Sequence, residues 1–327
     1  MGERTVGRRR GGRAALCALA LMLMPAGHEA RAIDNLEIMA PAAPGGGYDR
    51  TARAVLDTIE KEGLGKGGSV INVGGAGGAI GLAQFIRNKT GSSNAMIVGG
   101  FGMVASFATN KSPVTLLNVT PLARLTSEYL LVVVPKASPI NSINDLVAKL
   151  KANPAAVSWA GGSAGGTDHI FAGLIAQAAG VDPKQVNYIA FSGGGDSLAA
   201  IVGGQVTAGV GGFSELIEQV KAGNLRALGL SAEERLKGVD IPTLKEQGLD
   251  VTLSNWRGIA APPGLSPQQT KAYLTLIDNV VKSKTWQEHL AKNRWESAYL
   301  AGDAFRKYIE TETTRTSGVL EKLGLIK

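Results

Sequence analysis

The stretch LEIMAPAAPGGGYDRTARAVLDTI, residues 36–59, sets the pattern of the chain. A short apolar run, Leu36 to Ala40, stops at Pro44-Gly45-Gly46-Gly47. Beyond it Ala52, Val55, Leu56 and Ile59 recur at i, i+3, i+4 and i+7, the spacing of one helix face. A strand, a glycine turn and a helix in that order open an α/β unit.

The unit recurs along the sequence. Val70 to Val73 leads to Gly74-Gly75-Ala76-Gly77-Gly78, with Ile80, Ala83 and Ile86 after it. Ala95 to Val98 leads to Gly99-Gly100, and Val157 to Ala160 to Gly161-Gly162-Ser163-Ala164-Gly165-Gly166. Val186 to Phe191 leads to Gly193-Gly194-Gly195, and Ala208 to Val210 to Gly211-Gly212. Leu130 to Val134 is a β-rich run stopped by Pro135. This alternation predicts an α/β fold with largely parallel sheets. Near Ser266-Pro267 the pattern turns helical, with Ser at the N-cap and Pro at the first helical position. Leu274, Ile277 and Val281 then mark one apolar face, and Phe305, Tyr308 and Ile309 another.

Ahead of these units lie Arg4, Arg8, Arg9, Arg10 and Arg13, an uncharged run from Ala14 to Met24, and Ala30-Arg31-Ala32. A bilayer-spanning helix needs roughly 20 apolar residues. The shorter run, the basic start and the small-x-small site predict a secretory signal peptide over 1–32, cleaved after Ala32. The expected location is therefore periplasmic, with the general and twin-arginine routes both open. Cys17, the one cysteine, lies inside the apolar run behind Leu16, not where a lipid anchor would follow it. Removing six Arg and two acids lowers the formal charge from +7 to about +3. The basic balance is then a property of the leader, and no nucleic-acid partner is expected. The remaining chain offers no disulfide, thiol nucleophile or cysteine metal site.

Glycines at a strand-to-helix turn let the backbone approach a ligand, and the helix N-terminus presents free N–H groups and a favourable dipole to an anion. Repeated through one chain, they predict a site of main-chain donors suited to a carboxylate or phosphate. The phosphate motifs fail in detail. Gly65-Lys66 runs into Gly67, so it is no Walker loop. Gly63-x-Gly65-x-x-Gly68 follows a helix and precedes a strand, the reverse of a dinucleotide fingerprint. Beyond the leader only His169 and His289 are available as imidazoles. His289 reads as a surface residue. His169 reads as a helix-capping or packing residue, or as a ligand contact. No Ser–His–acid set can be argued from spacing and no metal cluster appears, so no catalytic residue, metal or cofactor is expected.

The loops also match a known pattern in order. Ala43-Pro44-Gly45-Gly46-Gly47-Tyr48-Asp49 is followed by Gly75-Ala76-Gly77-Gly78-Ala79-Ile80-Gly81, then Gly162 through His169, then Tyr188 through Gly195. Gly203-Gly204-Gln205-Val206, Arg226-Ala227-Leu228, Ile241-Pro242-Thr243 with Glu246-Gln247-Gly248, and Trp256-Arg257-Gly258 complete the set. With these motifs the chain resembles the extracytoplasmic substrate-binding proteins of tripartite tricarboxylate transporters, the Bug family. The resemblance implies an α/β, two-lobed periplasmic binding protein fold (type II-like) with a ligand cleft between the lobes. The lobes would be 33–131 plus 256–327 and 132–255. It implies that Gly46, Gly47, Tyr48 and Asp49, with Gly77, Gly78 and Ala79, hold a ligand carboxylate through backbone N–H groups and waters. Asp49 serves equally as an N-cap. The opposite lobe would offer Ser163, Gly165, Gly166, Thr167, His169, Gly195 and Asp196, with Phe213 closing the far end.

Two departures narrow the resemblance. Ser92-Ser93-Asn94 stands where many relatives carry Asp-Gly-Tyr, and Arg257 where many carry an aromatic residue. Arg257 and Phe191-x-Gly-Gly-Gly195 resemble the citrate-binding subgroup. A guanidinium takes a carboxylate bidentately, so Arg257 reads either as a second carboxylate contact or as a hinge salt bridge. The implied partners are a small di- or tricarboxylate such as citrate and the transporter's membrane subunits, with the chain itself a monomer. A ligand-sensing subunit for a two-component sensor kinase is the alternative role.

Overall fold

The computed structural model describes residues 1–3, 33–191 and 194–326. The export-signal reading falls on residues 4–32, outside the described residues. From residue 33 onward the chain forms a two-lobed α/β protein.

The first sheet gathers β1 (Glu37–Ala40), β2 (Ser69–Asn72) and β3 (Ala95–Gly100), with α1 (Gly47–Lys61), α2 (Ala79–Lys89) and α3 (Phe101–Thr109) between and after them. β4 (Thr120–Ser127) completes the first pass. The chain then enters the second sheet: β5 (Leu130–Pro135), α4 (Ile143–Ala152), β6 (Ser158–Gly161), α5 (Thr167–Ala178), β7 (Asn187–Ala190), α6 (Gly194–Val202), β8 (Ala208–Gly212), α7 (Phe213–Lys221) and β9 (Leu225–Leu230). It returns through β10 (Arg257–Ala261), α8 (Pro267–Lys282), α9 (Lys284–Asn293), β11 (Glu296–Ala301) and α10 (Gly302–Lys322).

The strand orders are β11-β4-β10-β3-β1-β2 and β7-β6-β8-β5-β9. The sheets are mixed rather than largely parallel. β1 pairs parallel with β2 and β3, and β6 with β7 and β8. β4, β10 and β11 pair antiparallel in the first sheet, as does β5 with β8 and β9 in the second. The cause is the route of the chain. Parallel pairs are joined by crossover helices, whereas β4 and β10 belong to segments that pass between the sheets. Those crossing segments pair with each other: Glu128 N–H donates to Asn255 O at 3.2 Å and Asn255 N–H to Glu128 O at 2.8 Å.

Local sequence explains the elements. In α1 the residues Ala52, Val55 and Ile59 face the core. Ser266 caps α8 in a reciprocal capping box with Gln269, with Pro267 at the first turn. Gly99-Gly100 and Gly211-Gly212, read from sequence as turns, are instead the ends of β3 and β8, which run straight into α3 and α7. α10 reaches across both lobes: Phe305 and Ile309 pack beside Trp256, and Leu323 just beyond its end fits against Gly173 of α5. Trp256 is fully buried, edge-on to Phe305 and Tyr308.

Candidate functional site

A cavity of about 470 Å³ lies between the two sheets. Five helices begin at its wall. Gly47 and Tyr48 open α1, Gly78 precedes α2, Gly102 is in the first turn of α3, Gly166 and Thr167 open α5, and Gly212 precedes α7. A helix leaves its first N–H groups without intrahelical partners and carries partial positive charge there. Glycine-rich turns ahead of α1, α2 and α5, with β3 and β8 running straight into α3 and α7, therefore line this cavity with helix starts.

The α1 loop is fixed from behind. The Asp49 carboxylate, 3% exposed, accepts Gly45 N–H at 2.9 Å, Asn72 Nδ2 at 3.0 Å and Arg53 Nε at 2.9 Å. Burial works against its charge, but Arg53, Gly45 N–H and Asn72 outweigh it and hold the carboxyl below its usual range. Asp49 thus shapes the loop, while Gly46 is the N-cap residue. Gly47 is required by close approach: a β-carbon there would stand 2.5 Å from Arg257 Nη2. Gly77 sits at φ 61°, and a side chain there would run into Ser106. Tyr48 Oη accepts Met103 N–H at 3.0 Å, and burial pushes its pKa up to about 12.

Charge in the cavity wall is uneven. Arg257 is 4% exposed. Its Nη2 donates to Glu128 at 3.0 Å, while its Nη1 is buried with no partner among the described residues. Glu128 also accepts Ser214 N–H at 2.9 Å and the Ser214 hydroxyl, occupying the start of α7. Glu215 lies 3.6 Å from Arg50 of α1, an ion pair across the cleft. Burial, then the charge of Glu128, raises the Glu215 carboxyl against the pull of Arg257 and Arg50. Asp168 accepts Gly162 N–H at 2.7 Å. Burial lifts its pKa to about 7, with Glu215 and Glu128 adding and Gly162 opposing.

The cavity brings together Gly47, Tyr48, Gly77, Gly78, Ser163, Gly166, Thr167 and Arg257 from the expected set. Gly46, Asp49, Ala79, Gly165, His169, Gly195, Asp196 and Phe213 are not among its lining residues. His169 Nδ1 accepts Gly165 N–H at 3.1 Å, and its ring stacks on Tyr188 at 4.2 Å. Gly195 and Asp196 are exposed in the first turn of α6, and Phe213 is buried in the second-sheet core. His289 is half-buried between helices, 2.8 Å from Asp57 of α1, rather than free on the surface.

Sequence reasoning misses the wall residues Glu128, Glu215, Ser106 and Asn255, and it passes over Asp168 inside a quoted motif. Glu128 does carry a signal: it is the one acid beside the apolar run Leu130 to Val134. The sequence reading also lacks one pattern match, since Gly161-x-Ser163-x-Gly165 has nucleophile-elbow spacing. In such an elbow the serine sits on the sharp strand-to-helix turn, with a histidine as its base. Here α5 starts only at Thr167, and the His169 nitrogen nearest the loop is engaged by Gly165 N–H.

Known proteins share this architecture. BugT from Bordetella pertussis is 27% identical over 302 residues, covering 88% of this chain and 89% of BugT. A TctC solute binding protein from Polaromonas, solved without ligand, superposes with a TM-score of 0.70 at 25% identity, covering 88% of this chain and 98% of that one. MatC from Rhodopseudomonas palustris, solved with bound malate, shares the fold with a TM-score of 0.74 at 22% identity, over 88% of this chain and 99% of MatC. The family model described as "Tripartite tricarboxylate transporter family receptor" matches residues 51–325. The chain therefore belongs to the TctC family of tripartite tricarboxylate transporter receptors.

Proposed function

We propose that this protein is an extracytoplasmic solute-binding protein, not an enzyme, that captures a small organic carboxylate for the membrane subunits of a tripartite transporter. One observation carries the reading: five helix N-termini, among them the glycine-rich starts of α1, α2 and α5, meet at a single cavity that Arg257 also lines. Carboxylates accept such N–H groups, each hydrogen bond to a charged group contributing roughly 1.5–3 kcal/mol. A first carboxylate fits the loops opening α1 and α2, and a second acidic group fits the positive field of the Arg257 guanidinium in the same wall. This two-ended arrangement favours a dicarboxylate, with citrate as the tricarboxylate candidate. The malate bound to MatC supports a ligand of this size and class.

The lobes are 33–131 with 256–327 and 132–255, hinged where the crossing segments pair through Glu128 and Asn255. Arg50–Glu215 and Arg294–Glu218 then bridge the lobes in the closed form that docks on the membrane subunits. The protein acts as a monomer in the periplasm. Carboxylate uptake by cells that lack this chain but keep the membrane subunits tests the transport role. Loss of uptake, restored by the wild-type protein, is expected; undiminished uptake refutes it.

A further inference from the structure

We propose that His169 is a positioning residue: its neutral imidazole holds the 162–166 loop in shape at the cavity wall, and protonation of that ring releases the loop and weakens ligand binding. This rests on the carboxylate reading above and names what regulates one wall of the same site.

The loop joins β6 to α5 and brings Ser163 and Gly166, with Thr167 after them, to the cavity. Three side chains brace it. Asp168 accepts Gly162 N–H at 2.7 Å, and Tyr188 Oη donates to Gly162 O at 2.9 Å. His169 Nδ1 accepts Gly165 N–H at 3.1 Å. The His169 and Tyr188 rings stack at 4.2 Å and within 9° of parallel, so two of the braces support each other.

The hydrogen bond to Gly165 fixes the state of the ring. A backbone N–H only donates, so Nδ1 carries a lone pair and the ring hydrogen sits on Nε2. A second proton can go only to Nδ1, where it meets Gly165 N–H donor to donor. Gly165 is buried, so its N–H has no water to turn to, and an unpaired buried donor is costly. The brace becomes a repulsion and the loop must move.

The groups around the ring do not offset this. Tyr188 of β7 is kept neutral by burial, which pushes its pKa up. From α3 comes the uncharged Thr109, against Gly165. On α5 itself Asp168 turns to Gly162, under the charges of Glu215 and Glu128, and takes up its own proton near pH 7. It is therefore neutral before His169 titrates. Burial lowers the His169 pKa from its ordinary 6.5, with no charged neighbour opposing it. The two steps also differ in sign: protonating Asp168 removes negative charge from a carboxylate site, whereas protonating His169 dismantles its wall.

Nitrogen NMR of the histidine-labelled, ligand-free protein tests the device directly. His169 and His289 are the histidines beyond residue 32, and His169→Asn assigns the signals. At neutral pH His169 should carry its proton on Nε2 alone and should titrate below 6.5, with Gly165 N–H protected from exchange above that midpoint and open below it. Succinate, malate and citrate are then titrated calorimetrically on both sides of the midpoint. His169→Phe keeps the stack without an acceptor and should lose on the order of fivefold in affinity at neutral pH, the worth of one hydrogen bond. His169→Asn places an acceptor oxygen near the Nδ1 position; it should recover that affinity and abolish the loss on the acid side. A proton on Nδ1, a midpoint at or above 6.5, or an acid loss that persists in His169→Asn would overturn the proposal. If His169→Phe does not fold, the wild-type tautomer and midpoint decide. Binding of none of the three acids at any pH would overturn the carboxylate reading, and the NMR would still decide the brace.

Discussion

Arg257 Nη2 donates to the Glu128 carboxylate at 3.0 Å, with the two side chains 5% and 1% exposed. The same carboxylate accepts Ser214 N–H at the start of α7. One buried acid thus ties β10 of the first sheet to a helix of the second, where the chain crosses between them. Removing one partner of a buried pair leaves an uncompensated charge and costs roughly 3–5 kcal/mol. Arg257→Met should lower unfolding stability by about that amount, and Arg257→Met with Glu128→Gln by less than the sum of the single changes. Urea denaturation measures both. Additive losses would show that the pair is not coupled.

Arg257 fits only because residue 47 has no side chain. Gly47→Ala places a β-carbon 2.5 Å from Nη2, so the guanidinium must shift or α1 must retreat. Overpacking of this kind costs about 1–3 kcal/mol, and carboxylate affinity should fall with it. Gly318→Ala in α10 is the contrast. A β-carbon there meets nothing within 4 Å, and alanine in a helix interior should add up to about 1 kcal/mol. Equal effects from the two substitutions would contradict the close approach at Gly47.

Asp168 makes stability depend on pH with a definite sign. Its pKa rises from 3.8 to about 7 in the folded chain. Between those values the folded state holds a proton that the unfolded state has lost, so this residue's contribution to stability falls as pH rises. The decline should run from about pH 4 to about pH 7 and then level off. Melting of the ligand-free protein across that range, compared with Asp168→Asn, isolates it. The variant should lose this component of the slope. A slope unchanged by the substitution would place the titration on another group.

Much of the fold is legible because strand, glycine turn and helix follow one another in the sequence, as from Leu36 to Ile59. Ser266-Pro267 likewise announces α8 through capping chemistry that is local. The antiparallel strands are not legible in this way. β4 and β10 owe their direction to where the chain crosses between sheets, and no short window records that. The candidate site divides similarly. The loops at Gly47, Gly77 and Gly166 stand out because their glycines are unusual in composition. Glu128 and Glu215 reach the same cavity from a crossing segment and a helix start, and only the tertiary structure joins them to Arg257. Arg257 was open to two readings in sequence, a carboxylate contact and a salt bridge. In the fold Nη2 makes the salt bridge, to Glu128, and Nη1 is buried with no described partner.

The most direct test of the central claim is the thermal shift of the refolded, ligand-free protein with mono-, di- and tricarboxylates, amino acids among them, against phosphate and nucleotide controls. A ligand at 100 times its Kd adds about 2.7 kcal/mol. For domains of this size that corresponds to a rise of several degrees, at roughly 2–4 °C per kcal/mol. A rise with at least one small carboxylate and none with phosphate or nucleotide is the expected result. A rise with phosphate or nucleotide alone, or with no carboxylate, would contradict it.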